Sequence, residues 1–147
     1  MQGFTSLGHV AIRVSDVDRT LDFYSGKLGF REMLRLHRDD GRLWLLYLRI
    51  TDEQYLEVFP DAVGEHAPDQ DSNGLNHICL TVTDLDEVVR QLDARGVPLS
   101  RPLKLGADGN RQAWIEDPDG NRIELMEMAA DGLQAKAIER LRAARGI

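Results

Sequence analysis

Residues 7–18 read Leu7-Gly8-His9-Val10-Ala11-Ile12-Arg13-Val14-Ser15-Asp16-Val17-Asp18, and residues 75–86 read Leu75-Asn76-His77-Ile78-Cys79-Leu80-Thr81-Val82-Thr83-Asp84-Leu85-Asp86. Laid over one another at an offset of 68, five of the twelve positions are identical, and most of the others pair small with small or apolar with apolar. Farther along the offset drops to 67. Gly29 then falls on Gly96, Tyr47 on Trp114, and Leu56-Glu57-Val58 on Ile123-Glu124-Leu125. One deleted residue in the first helix–strand region accounts for the slip. Two modules of nearly equal length therefore fill most of the chain, and each carries a His and a Glu at matching places.

The period of the apolar residues assigns elements to each module. Val10, Ile12 and Val14 alternate with His9, Ala11 and Arg13, the pattern of a half-buried strand over 7–14. Ser15 or Asp16 can cap the next helix, whose stripe is Val17, Leu21, Tyr24 and Leu28 and whose stop is Gly29. Apolar segments near 30–36, 43–50 and 54–59 follow. Module two repeats this with a strand over 75–82, a helix over 84–95 stopped by Gly96, and short strands near 97–100, 111–116 and 121–127. Asp117-Pro118-Asp119-Gly120-Asn121 is a tight-turn sequence that joins the last two as a hairpin. The expected architecture is a single α+β domain over 1–147. It has two βαβββ modules (about 5–62 and 73–128) joined by a polar linker at 64–74. A C-terminal helix follows at about 131–145, with Asp131 as cap, Leu133, Ala137, Ile138 and Leu141 inward, and Gly146 as stop.

The chain has 147 residues, 25 acidic against 18 basic, for a net charge of −7. That balance argues against a nucleic-acid binder and against a basic helix lying on a membrane. Cys79 is the single cysteine, so neither an intrachain disulfide nor a CxxC zinc motif is available. The first residues lack a signal peptide's basic start and apolar stretch, and the run Leu43–Leu48 is far too short to span a bilayer. The expectation is a cytoplasmic protein with a small-molecule partner.

Side chains alternate sides along a strand. His9 and His77 lie opposite the apolar face of their strands, and Glu57 and Glu124 lie opposite the apolar face of theirs. If the modules close sheets around a cavity, all four point into it as a metal-binding cup. Imidazole and carboxylate without thiolate suit a catalytic divalent ion such as Ni²⁺ or Zn²⁺, and a carboxylate there can serve as a general base. Arg13 shares the face of His9, where it could bind an anionic substrate group or form an exposed salt bridge. Trp114, Tyr55 and Phe59 face either cavity or core. His37, His66 and the charged stretch Glu139–Arg145 read as ordinary surface residues. Gly106–Asn110 reads as a loop that could cover a cavity or simply turn.

Residues 5–128 resemble the vicinal-oxygen-chelate superfamily: glyoxalase I, methylmalonyl-CoA epimerase, extradiol dioxygenases and the fosfomycin- and bleomycin-resistance proteins. The carriers are Gly8-His9-Val10-Ala11, Asp22-Phe23-Tyr24 with Leu28-Gly29-Phe30, Asn76-His77-Ile78, and Glu116-Asp117-Pro118-Asp119-Gly120-Asn121 with Ile123-Glu124-Leu125. The order His9, Glu57, His77, Glu124 matches the glyoxalase I ligands. The resemblance implies one divalent ion per site, Ni²⁺ or Zn²⁺. It also implies a proton transfer by Glu124, or Glu57 in the exchanged role, through a metal-stabilised enediolate. It further implies a homodimer with the cup built across two chains, and Arg13 on a glutathione carboxylate. Asp61 stands where glyoxalase I has Asn, and Asn73 where it has Arg, so glutathione is not assured as the substrate. An epimerase acting on a thioester and a non-catalytic small-molecule binder are the alternatives.

Overall fold

The structure, a computed structural model, describes residues 3–145. Unit 1 holds the chain up to Pro68 together with Asp117–Gly120, and unit 2 holds Asp69–Glu116 and the chain from Asn121 onward.

In unit 1, β1 (His9–Arg13) leads into α1 (Val17–Leu21), and β2 (Arg31–His37), β3 (Leu43–Arg49) and β4 (Tyr55–Phe59) follow. In unit 2, β5 (Ile78–Thr81) leads into α2 (Leu85–Ala94), then β6 (Arg101–Leu105), β7 (Arg111–Glu116), β8 (Arg122–Glu127) and α3 (Leu133–Arg145). The sheet orders are β1-β4-β3-β2 and β5-β8-β7-β6, each with one parallel pair and two antiparallel pairs. This is an α+β fold of two mixed four-stranded sheets.

The repeat read from sequence persists in the hydrogen-bond register. Ala11 pairs with Glu57 and Cys79 with Glu124; Leu46 pairs with Val58 and Ala113 with Leu125. α1 and α2 each start on an aspartate whose side chain accepts the backbone N–H three residues on: Asp16 from Arg19 and Asp84 from Glu87. Such caps contribute about 1 kcal/mol each. Each stops at a left-handed glycine, Gly29 (φ 81°) or Gly96 (φ 69°), a conformation that L side chains resist.

One departure explains the slip in the repeat. The expected regular helix over 17–28 gives way at Asp22–Lys27 to a π-helical turn, in which Leu28 N–H reaches the Phe23 carbonyl. A π turn is one residue wider than an α turn. It lets the consecutive residues Phe23 and Tyr24 both be buried, with their rings edge-to-face at 5.1 Å. The Tyr24 hydroxyl donates to Asp117 Oδ2 at 3.0 Å. Burial, then the Asp117 carboxylate, push its pKa well above the usual tyrosine value. α2 has no such turn, so module two is one residue shorter.

Three further expectations are corrected. The strand expected at 97–100 lies at 101–105: Pro98 has no N–H to pair, and pairing starts where Ser100 N–H meets the Trp114 carbonyl. The first strand of module two is shorter than 75–82, and His77 sits just before it. In α3, Leu133 and Leu141 are 64% and 54% exposed rather than inward, because the helix is held by its first turn. There Leu133 N–H donates to the Asp108 carbonyl, and the Gly132 carbonyl, not an Asp131 cap, accepts Lys136 N–H. Gly146, the expected stop, lies outside the described residues. The loop Gly106–Asn110 is a socket for this turn: fully buried Asn110 bonds Asp108, Gln134 and the Ala129 N–H. Among the described residues no helix is long and apolar enough to cross a membrane.

Candidate metal centre

The structure brings the four expected ligands together as two pairs, one in each unit. In unit 1, His9 opens β1 and Glu57 sits at the middle of β4, inside the sheet. His9 Nε2 lies 3.6 Å from Glu57 Oε2. The apolar side of these strands carries Ile12, Val14, Leu56 and Val58, all buried in the core. Glu57 is only 8% exposed, although it faces the other way. A carboxylate so withdrawn from water needs partners. Besides His9 it has Tyr47, directly opposite on β3. The hydrogen bond from the Tyr47 hydroxyl to Glu57, then burial, then the carboxylate charge raise the Tyr47 pKa. Arg13 donates to the Pro60 carbonyl at 2.7 Å, with its guanidinium 5.3 Å from the centre of the Phe59 ring. Tyr55 donates its hydroxyl to the Asp52 carbonyl.

In unit 2, His77 Nε2 lies 3.1 Å from Glu124 Oε2. The other ring nitrogen, Nδ1, is 2.8 Å from Asn76 Oδ1. Trp114, opposite Glu124 on β7, is buried and meets the His77 ring edge-on at 4.8 Å. Its indole N–H donates to Gln112. Cys79 pairs with Glu124 on the other flank, and its thiol is pushed up to about 12 by burial first and then by the Glu124 carboxylate.

The donor set fits a divalent ion. Two ligands each about 2.1 Å from one ion stand about 3.0–3.4 Å apart for angles between square and tetrahedral. The separation in unit 2 lies within that range and the one in unit 1 just beyond it. Imidazole nitrogen with carboxylate oxygen suits Zn²⁺, Ni²⁺ and their neighbours. Each unit by itself brings together one His and one Glu, and among the described residues no group of three or more His, Cys, Asp or Glu forms a metal cluster.

Sequence reading missed Asn76 and Tyr47 as parts of the site and left Trp114 open between cavity and core. The signal for two of them was present: Tyr47 and Trp114 coincide at offset 67, beside strands whose carboxylates coincide at the same offset.

Comparison with known proteins finds relatives over most of the chain. The profile of the Glyoxalase/Bleomycin resistance protein/Dioxygenase superfamily matches residues 6–125. A lactoylglutathione lyase of Pseudomonas aeruginosa is 32% identical over 151 residues, covering 84% of this chain and 83% of its own. The Bacillus subtilis protein YwkD, which is uncharacterised, is 31% identical over 125 residues, covering 83% of this chain and 96% of its own. The crystal structure of a glyoxalase family protein from Enterococcus faecalis superposes with a TM-score of 0.74 at 31% identity, covering 84% of this chain and 98% of that one. With the profile spanning both repeats and both His–Glu pairs, the chain belongs to the Glyoxalase/Bleomycin resistance protein/Dioxygenase superfamily.

Proposed function

We propose that the protein is a metal-dependent lyase of the glyoxalase I type, which isomerises a small α-oxo substrate such as the methylglyoxal–glutathione hemithioacetal. The observation that carries the reading is the pair of His–Glu contacts at repeat-equivalent positions, 3.6 Å and 3.1 Å apart. Relatives named lactoylglutathione lyase support the substrate class. His9, Glu57, His77 and Glu124 hold the ion, with Ni²⁺ or Zn²⁺ favoured by the donor types. Bound there, the ion supplies Lewis-acid stabilisation for negative charge developing on the substrate oxygens.

The chain's own residues divide the remaining work. Glu124 takes the proton from the carbon beside the carbonyl and returns it to the adjacent carbon. Glu57 is its repeat counterpart in the exchanged role: each carboxylate faces the histidine of its own unit, at 3.1 Å for Glu124 and 3.6 Å for Glu57. Arg13 holds an anionic group of the substrate. Two chains supply the full ligand set, His9 and Glu57 from one and His77 and Glu124 from the other. The uncovered apolar side chains of unit 1, Met33, Leu34 and Trp44, support such pairing.

A thioester epimerase is the second reading: Asp61 and Asn73 weigh against glutathione and say nothing of an acyl thioester. Metal analysis of the purified protein, then turnover of the hemithioacetal against a panel of acyl-CoA thioesters, separates them. The expected result is one divalent ion per site, lost in His77→Ala, with turnover of the hemithioacetal. Metal content unaffected by His77→Ala overturns the site.

A further inference from the structure

We propose that Asn76 is a positioning residue that fixes His77 as its Nδ1–H tautomer and so presents a bare Nε2 lone pair beside Glu124. The purpose of this device rests on the metal reading above; the tautomer itself does not.

The argument begins at the far end of the Asn76 side chain. Its Nδ2 lies 2.7 Å from the Gln70 backbone carbonyl. A backbone carbonyl can only accept, so the amide nitrogen must face Gln70 and the amide oxygen must face His77. That oxygen is 2.8 Å from His77 Nδ1. An amide oxygen also only accepts, so Nδ1 must carry the proton. In a neutral imidazole the other nitrogen is then unprotonated, and it is the one 3.1 Å from Glu124 Oε2. A lone pair and a carboxylate oxygen held this close favour a cation between them.

The surroundings hold the pieces in place. The Asn76 carbonyl accepts from both Nε and Nη2 of Arg122, which pins the backbone just before β5. Trp114 limits rotation of the His77 ring from one side. Arg101 lies 4.9 Å from the centre of the Trp114 ring and donates to the Gln70 side chain, closing the circuit on the residue that orients Asn76. Among the described residues module one has no counterpart to this circuit. Gly8 stands where Asn76 does, and the His9 side chain is 51% exposed. The two halves of the proposed ligand set are thus unequal: His77 is held through Nδ1 before an ion binds, whereas His9 is the more exposed of the two. Partners of this kind typically change metal affinity 10–100-fold.

The test uses the full-length ¹⁵N-labelled protein, stripped of metal by a chelator and held near pH 8.5, about two units above the ordinary His pKa. Long-range ¹H–¹⁵N spectra read the tautomer of each imidazole, with His77 assigned by its loss in His77→Gln. The parent should show His77 as Nδ1–H, while His9 shows the Nε2–H excess usual in water. Asn76→Ala should move His77 toward Nε2–H, and Asn76→Asp, which keeps the acceptor but loses the donor to Gln70, should restore Nδ1–H only in part. Zn²⁺ affinity by chelator competition should fall about tenfold or more in Asn76→Ala and recover in part in Asn76→Asp. A parent whose His77 is mainly Nε2–H, or an Asn76→Ala protein with an unchanged tautomer, overturns the proposal. The parent spectrum alone decides the matter if Asn76→Ala does not fold. A parent with His77 as Nδ1–H that takes up no Zn²⁺ supports the tautomer and instead overturns the function proposed above.

Discussion

Tyr47 on β3 and Trp114 on β7 occupy the same register position in their sheets: Tyr47 lies directly opposite Glu57, and Trp114 directly opposite Glu124. Cross-strand neighbours share a face and touch. One carboxylate therefore lies beside a phenol whose pKa it raises, while the other sits beside an indole that packs on its histidine. Tyr47→Phe keeps the ring and removes only the donor. Its Zn²⁺ affinity is expected to fall by about tenfold, in the range typical of such supporting contacts, with circular dichroism unchanged. The reciprocal variant Glu57→Gln should lower the Tyr47 pKa toward 10.0, since Glu57 is the largest of the causes that raise it. Tyrosinate absorbance against pH reads that shift, and an unchanged titration would remove Glu57 as its cause.

The buried Tyr24 predicts a loss of stability in alkali. Its folded pKa lies well above 10.0, its value in an exposed chain. Between those two values the folded state binds the proton more tightly than the unfolded state, so unfolding free energy falls as pH rises. The contribution is intact below about pH 10 and fades as the pH climbs toward the folded value. Tyr24→Phe has no proton to lose. Urea midpoints from pH 8 to 11 should decline less steeply in that variant than in the parent, although its midpoint at pH 8 is lower because Asp117 has lost a donor. Parallel declines in the two proteins would contradict this role.

Asn110 is the joint between the second sheet and α3. Its side chain is fully buried and serves Asp108, Gln134 and the Ala129 N–H at 2.8, 2.7 and 3.0 Å. Asn110→Ala leaves those groups without that partner, at a cost of about 1–3 kcal/mol. Hydrogen exchange should show α3 amides losing protection before those of β7 and β8, because the helix is tied at its first turn. Uniform loss of protection across all three would place the joint elsewhere.

The two-module plan was legible because duplication repeats everything that sets a strand: alternation at 10–14 and 78–82, the Asp caps at 16 and 84, and the glycine stops at 29 and 96. Even the slip from offset 68 to 67 carried information, since it marks the extra residue of the π turn. The turn itself was not legible. Val17, Leu21, Tyr24 and Leu28 fit a regular stripe, and only the wish to bury Phe23 beside Tyr24 distinguishes the wider turn. That each histidine faces the glutamate of its own module was readable from face parity. Asn76 was not, because its role depends on where the Gln70 carbonyl ends up six residues away, which no local pattern encodes. The exposure of Leu133 and Leu141 likewise escaped the helical period, which reports that a stripe exists and not whether this chain covers it.

That uncovered surface leads to the last prediction, which concerns the number of chains in one site. On the proposed ligand set each unit supplies one histidine and one glutamate, so a complete site needs one pair of each kind. If the pairs meet across a twofold dimer, every dimer has two cups, and each cup draws its His9–Glu57 pair and its His77–Glu124 pair from different chains. His9→Ala and Glu124→Ala should each be inactive alone. In a mixed dimer one cup takes both lesions and the other takes none. After complete subunit exchange of an equal mixture, half of the dimers are mixed and half of their cups are intact, so activity should return to about a quarter of the parent level. Metal content should recover in parallel. If each cup lies within one chain, every cup keeps one lesion at any mixing ratio and nothing returns. Sedimentation of the parent gives an independent check: a monomer at concentrations where it is active would exclude the shared cup.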